Sequence, residues 1–450
     1  MTEKKVSNGL ILITLAIGFI MATLDASVMN VAVATLQKAL SLDNSSGTWI
    51  VDSYLLSFAS LLLLGGVLAN KFGAKQIYLL GLVIFTIGSI SGAFSQNGAW
   101  LIASRFLQGI GSALFMPSSL SLLVLSFTDE KERAKMLGIW SAIVSVSSGL
   151  GPFVGGALIS FLGWRSIFFI NVPFGIIGLI LAYRYALSPT SNRTLRVSFI
   201  PNLISMLMLA SFAYTLIEGG SHGWTYLPAI VSFLIFIVSL LLFILNEKQS
   251  LNPLIPLALL KNKAFVYANI TAFLLNASMM GGLFIFGLYL QSASHKTAVE
   301  AGAQLIPMMI VFMIGNLVFS RLVKKFGTDK MLIFGLVLAT LGSAVLPFIL
   351  TLPYIVYAII YAIANLGVGI VVPAMTATAM QKAGDEHSNF AGAIFNVARQ
   401  IGSLFGVALL GVIFYQASKA LAGAEISFAL MAVFYLIGIL LSFANKKTAI

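Results

Sequence analysis

The sequence predicts an all-α polytopic membrane protein with fourteen transmembrane helices, and three observations carry that reading. Only 9% of the 450 residues are charged, against roughly 25% in a soluble domain. The 26 Lys and Arg and 14 Asp and Glu are too few to cover several soluble domains with polar surface. Hydrophobic residues make up 59% of the chain, mean hydropathy is +1.01, and the apolar residues gather in runs of about 20, enough to cross a bilayer core of about 30 Å as a helix. Backbone amides in lipid must bond within their own segment or in a closed barrel, and these runs do not alternate as barrel strands do. With no Cys, and 40 Gly that follow no three-residue period, disulfide scaffolds and collagen are excluded, as are thiolate metal sites and catalytic thiols.

In chain order, the first apolar run follows Lys4 and Lys5 as a signal peptide would. It continues well past a usual signal core and carries Asp25, so it is read as a retained helix. Further spans begin near Trp49, Ile77, Trp100, Met136, Ile167, Phe199 and Tyr226, then near Phe265, Ala301, Met331, Pro353, Phe390 and Ser427. Fourteen spans at about 32 residues per helix and loop use the whole chain. Placing the N-terminus in the cytoplasm puts 20 of the 26 basic residues inside, so both termini are expected in the cytoplasm. The formal net charge of +12 then reads as a topology signal and not as affinity for nucleic acid, since no basic stripe exists.

The most polar internal stretches are the connections from Ser188 to Val197 and from Asn246 to Lys263. They imply a 6 + 2 + 6 plan: an N-terminal six-helix bundle over 1–187, a two-helix linker insertion over 188–262 and a C-terminal six-helix bundle over 263–450. Similar halves are what a transporter built from repeats would show.

Almost all carboxylates fall in loops, but Asp25 lies about 23 Å along the first span, and Arg105 comes to a similar depth in the fourth. Asp52 sits just inside the outer end of the second span, beside Trp49 and Tyr54, residue types that suit the interface. An ionisable residue in the membrane is a functional hypothesis by default, because pairing or water must offset its cost. A structural Asp25–Arg105 ion pair that fixes helix packing is the alternative, and the two readings are compatible: when the pair opens, a proton or a cationic substrate can compete for the carboxylate. Arg399 lies in the thirteenth span beside Asn396 and Gln400, with no carboxylate at its depth; packing against carbonyls is the expected role, and recognition of an anion the alternative. Glu218 and Glu300 fall at helix ends. His222, His295 and His387 fall in loops without ligand spacing, so no metal is expected.

Several segments together resemble the fourteen-helix drug:proton antiporter family of the major facilitator superfamily, over essentially the whole chain. Leu24-Asp25-Ala26-Ser27-Val28-Met29-Asn30-Val31-Ala32 is similar to the family's "LDxTIVNVA" signature. Trp49-Ile50-Val51-Asp52-Ser53-Tyr54 resembles members that export quaternary ammonium compounds. Gly66 to Lys75 resembles the superfamily's "GxLaDrxGrk" loop, with Gly66, Asn70, Lys71, Gly73 and Lys75 at its positions, Asn70 standing for the usual Asp and Ala74 for an Arg. Leu101 to Gly111 resembles "LxxxRxxQGxG", with Arg105, Gln108 and Gly109 on one helix face. Gly149, Gly151, Pro152, Gly155 and Gly156 match the "GxGPxxGG" antiporter motif, and Trp164 to Gly175 resembles "WRxIFxINxPxG". In the second half, Asn365 to Pro373 and Asn396, Arg399, Gln400, Gly402 and Gly406 are less distinctive, and the tenth span is uncharged from Pro307 to Gly315, where some cation exporters carry an acid.

The resemblance implies the major facilitator fold and a proton-coupled antiporter in the bacterial cell membrane. By alternating access it would export amphipathic, often cationic, drugs and dyes: quaternary ammonium compounds, acriflavine- and ethidium-type dyes, and fluoroquinolones. Asp25, Asp52 and Arg105 would serve protons and substrate, with Met279, Met280, Phe284, Tyr357, Tyr361 and Phe395 as softer surfaces for varied ligands. Export of a single endogenous metabolite, lipid or peptide on the same fold is the alternative. The expected energy source is the proton gradient without a cofactor; the partners are small-molecule drugs, protons and lipid, with no nucleic acid, and the chain is expected to act as a monomer. An enzyme or an ATP-driven pump is not expected, since neither a Ser/His/Asp arrangement nor a GxxxxGK[ST] loop is present.

Overall fold

Side chains that can hold the first free amides set where the helices begin, because four N–H groups at each start lack an intrahelical partner. Ser7, Asp43, Asn97, Asp129 and Asn262 each accept a hydrogen bond from an amide two or three residues on. Thr297 and Glu300 form a reciprocal capping box, with the Thr297 amide donating to Glu300 Oε2 at 2.8 Å. Gly73, with φ near 100°, joins two helices in a turn that a side chain would strain.

In this computed structural model, residues 7–127, 129–187, 199–250, 259, 261–383 and 388–447 are described. The helices are α1 (Asn8–Leu40), α2 (Asn44–Phe72), α3 (Ala74–Ala93), α4 (Gly98–Ser126), α5 (Glu130–Leu162), α6 (Ser166–Tyr185), α7 (Phe199–His222), α8 (Leu227–Gln249), α9 (Lys263–Ser292), α10 (Ala298–Phe326), α11 (Thr328–Val345), α12 (Tyr354–Ala383), α13 (Ser388–Gln416) and α14 (Ala420–Lys447). The fourteen helices coincide with the fourteen expected spans, and the described residues contain no strand. Thirteen are long and apolar enough to cross a membrane; in α5 the charges Glu130, Lys131, Glu132, Arg133 and Lys135 occupy the first turns, and the run from Met136 to Leu162 carries none. The connection from Ser188 to Val197, most of the second polar connection, and His387 lie outside the described residues.

The chain divides into two compact units, residues 1–206 and 207–450, so α8 and most of α7 go with the second. In the first unit α1 packs on α5, and α4 on both α2 and α3; in the second α9 packs on α13, and α12 on both α10 and α11. The same packing scheme thus recurs eight helices later, as repeat-built transporters show. Aromatic side chains fill much of the second unit. Phe286 meets Tyr361 at 4.8 Å between ring centroids, and Tyr357 and Phe428 at 6.1 Å. Within the same unit α7 leans on α13 through Phe212 and Phe405, stacked at 6.0 Å.

Candidate functional site

Asp25, in the middle of α1, is almost fully buried and accepts from three donors. Arg105 of α4 donates from Nη1 to Asp25 Oδ2. Gln108, one turn along α4, donates from Nε2 to Asp25 Oδ1 at 3.1 Å, and Asn171 of α6 donates to the same oxygen at 2.9 Å. The i, i+3 spacing puts Arg105 and Gln108 on one face of α4, and Arg105 Nη1 also donates to Gln108 Oε1 at 2.7 Å. Arg105 has no exposed surface; its Nε donates to the Ile50 carbonyl of α2 at 3.1 Å, and its guanidinium lies 4.6 Å from the Tyr54 ring centroid. Gln108 reaches Ser89 of α3 at 2.8 Å, and Tyr54 and Ser112 share a hydrogen bond of 3.0 Å. Side chains of α4 and α6 therefore meet at the α1 carboxylate, and α2 and α3 join through Arg105 and Gln108; the charge of Asp25 is balanced and both its oxygens are bonded.

Local chain chemistry delivers Asn171 to this cluster. Pro173 has no amide to give the Phe169 carbonyl, so helical hydrogen bonding in α6 is interrupted at Ile170 between Ser166–Phe169 and Asn171–Tyr185. Asn171 then heads the second segment, and it is buried. The sequence marks Asn171 only as one letter of a motif, and Ser89 not at all; an uncharged polar residue in a span is too common to stand out without its partner.

Asp52 differs from Asp25. It is fully buried, and neither carboxylate oxygen has a hydrogen-bond partner among the described residues. Tyr54, whose ring stacks under Arg105, is two residues away, about 200° around the helix. Asp52 thus faces away from the α4 side of α2, and α2 is buried on every face from Ile50 to Ser60. Of the three expected charged residues, two form one cluster and the third stands apart from it.

In the antiporter motif, Gly151 and Gly155 are buried where α5 crosses α1; a Cβ on Gly151 would overlap Ser27 Oγ, and one on Gly155 would lie 2.6 Å from Val28 Cγ1. Pro152 and Gly156 are buried beside them and Gly149 is half-buried. In the loop motif, Gly73 makes the turn after α2, Asn70 is exposed, and Gly66 and Lys71 are half-buried. Lys75 donates to the Tyr183 carbonyl of α6 at 2.8 Å, tying the start of α3 to the end of α6. Of the residues expected to form softer surfaces, Phe284, Tyr357, Tyr361 and Phe395 are buried, whereas Met279 and Met280 are half-buried.

Fourteen helices in two units of repeated packing, with a buried ion pair and a buried carboxylate unpartnered among the described residues, define a polytopic membrane protein of the kind transporters are built on. The chain belongs to the Major Facilitator Superfamily, whose family model matches residues 15–407. It is 46% identical over 443 residues to the methylenomycin A resistance protein of Bacillus subtilis, covering 98% of this chain and 95% of that one. It is 43% identical over 437 residues to the methylenomycin A resistance protein of Streptomyces coelicolor, covering 97% and 92%. A crystal structure of a POT family transporter in complex with 5-aminolevulinic acid has the same fold, with a TM-score of 0.71 at 15% identity over 97% of this chain and 95% of that one. The protein is accordingly a transporter and not an enzyme, a multi-pass protein of the bacterial cell membrane with drug-resistance transporters among its relatives.

Proposed function

We propose that the chain is a proton-coupled antiporter that exports amphipathic, often cationic, drugs and dyes by alternating access. The observation that carries this reading is Asp52, a fully buried carboxylate with both oxygens unpartnered among the described residues. A buried carboxylate in a membrane span is costly unless it is paired, protonated or solvated. That cost is offset when the group takes up a proton or a cationic ligand, and the exchange of one for the other is the elementary step of an antiporter. Asp25 supports the step differently. Its three donors come from α4 and α6, so any change in its charge is felt by both helices at once. Quaternary ammonium compounds, acriflavine- and ethidium-type dyes and fluoroquinolones are the proposed substrates, and the proton gradient the energy source. A second reading, export of one compound, is favoured by the two relatives named for resistance to methylenomycin A.

A substrate panel in cells lacking other pumps, with a protonophore control, separates the two readings. Protonophore-sensitive efflux of several unrelated dyes supports multidrug export; efflux of methylenomycin A alone supports the second reading. For Asp52→Asn in proteoliposomes, ethidium transport is expected to fall about tenfold or more while neutral compounds keep their rates. Equal loss for both would assign Asp52 to the proton and not to cation recognition, and wild-type rates throughout would remove it from the mechanism.

A further inference from the structure

The second unit holds a buried cation of its own, and its surroundings are those of a binding site more than of a packing contact. Arg399 is the twelfth residue of α13, about 17 Å along the helix. The ion pairs among the described residues are Asp25–Arg105 and His222–Glu218, so Arg399 has no carboxylate partner there. Among the described residues its side chain makes one hydrogen bond, from Nε to Asn276 Oδ1 of α9 at 3.4 Å. A guanidinium has five N–H donors in a planar fork. The four on Nη1 and Nη2 have no protein acceptor among the described residues, and the residue as a whole is half-buried.

The anchoring side is rigid. Asn276 is buried, and its Nδ2 donates to the Ala272 carbonyl at 2.9 Å, which leaves Oδ1 turned to Arg399. Around it α9 and α13 touch backbone to backbone: a Cβ on Gly406 would lie 2.5 Å from Ala277 Cα, and one on Gly402 2.9 Å from Phe273 Cα. Beside the guanidinium, Asn396 is exposed and Gln400 half-buried. With Nε turned to Asn276, the unpaired Nη1/Nη2 edge presents two parallel donors, the geometry that matches the two oxygens of a carboxylate. An arginine that only packs within a span is expected to pair with a carboxylate or with backbone carbonyls.

We infer that Arg399, held by Asn276, is a carboxylate-binding site in the second unit, so that the exported compounds include amphipathic molecules bearing a carboxylate. This rests on the export reading proposed above, but its test is a binding measurement that does not depend on transport. Rhodamine 110, which carries a free carboxylate, and rhodamine 123, its methyl ester, are titrated by fluorescence polarisation against the purified chain in nanodiscs. Arg399→Gln is expected to weaken rhodamine 110 about tenfold and rhodamine 123 less than twofold. Arg399→Lys should recover part of the loss, and Asn276→Ala should weaken rhodamine 110 about threefold by releasing the guanidinium. Retained rhodamine 123 binding shows that each variant is folded.

Three outcomes overturn the inference: no binding of rhodamine 110 by the wild type, an unchanged ratio of the two affinities in both Arg399 variants, or equal losses for both dyes. Failure of the export reading appears separately, as absence of protonophore-sensitive efflux from cells.

Discussion

Asp25→Asn is expected to abolish proton-coupled dye efflux and to lower the unfolding temperature of the purified protein. The substitution keeps the shape but removes the charge and one acceptor, and it places a donor amide among the donors of Arg105, Gln108 and Asn171. Arg105, fully buried, is left without its counter-ion; breaking a buried pair from one side costs about 3–5 kcal/mol. Stability and function can be separated with a double variant. Asp25→Asn combined with Arg105→Gln removes both charges and should regain much of the lost stability, because no unpaired charge remains in that cluster. Transport should stay absent, since nothing is left there to exchange a proton. Wild-type transport with wild-type pH dependence by Asp25→Asn in proteoliposomes would show that this carboxylate is a packing device only.

Gly151→Val should have a comparable effect on transport for a steric reason. At this crossing even a Cβ would collide with Ser27 Oγ and come within 2.8 Å of Ser27 Cβ and 3.2 Å of the Leu24 carbonyl. Moving α5 away shifts the stretch of α1 that carries Asp25, and overpacking of this kind costs about 1–3 kcal/mol. The control lies on the same helix: Gly138 is exposed and a Cβ there has no neighbour within 4 Å, so Gly138→Ala should leave efflux unchanged. Gly151→Ala is expected to be partly rescued by Ser27→Gly, which removes the atoms it meets. A dye-efflux assay on membranes with matched protein amounts reads all four variants, and full activity of Gly151→Val would show that the crossing is not a constraint.

Much of the fold is legible in the chain because a membrane helix satisfies its own backbone, so apolar length alone locates each span. The ends are local as well: Asp43, Asn97 and Asn262 cap helices that start one residue later. In the fifth helix the uncharged run opens at Met136, six residues after the helix begins at Glu130. The site was legible in part. Charge in an apolar span singles out Asp25, Asp52 and Arg105, and helical spacing adds Gln108. Asn171, 146 residues from Asp25, bonds to it only because α1 and α6 pack together, and no local pattern in the sequence encodes that meeting.

The sequence by itself determined that this is a helical membrane protein, where its long apolar helices run, and which few charges stand in them. These follow from composition and from helical hydrogen bonding, both local properties. Only the tertiary structure decided that, among the described residues, Asp25 is bonded by three donors while Asp52, the same residue type, has none, and that Arg399 bonds only through Nε. Whether a charge is paired depends on which helices touch it, and that contact exists only once the helices have packed.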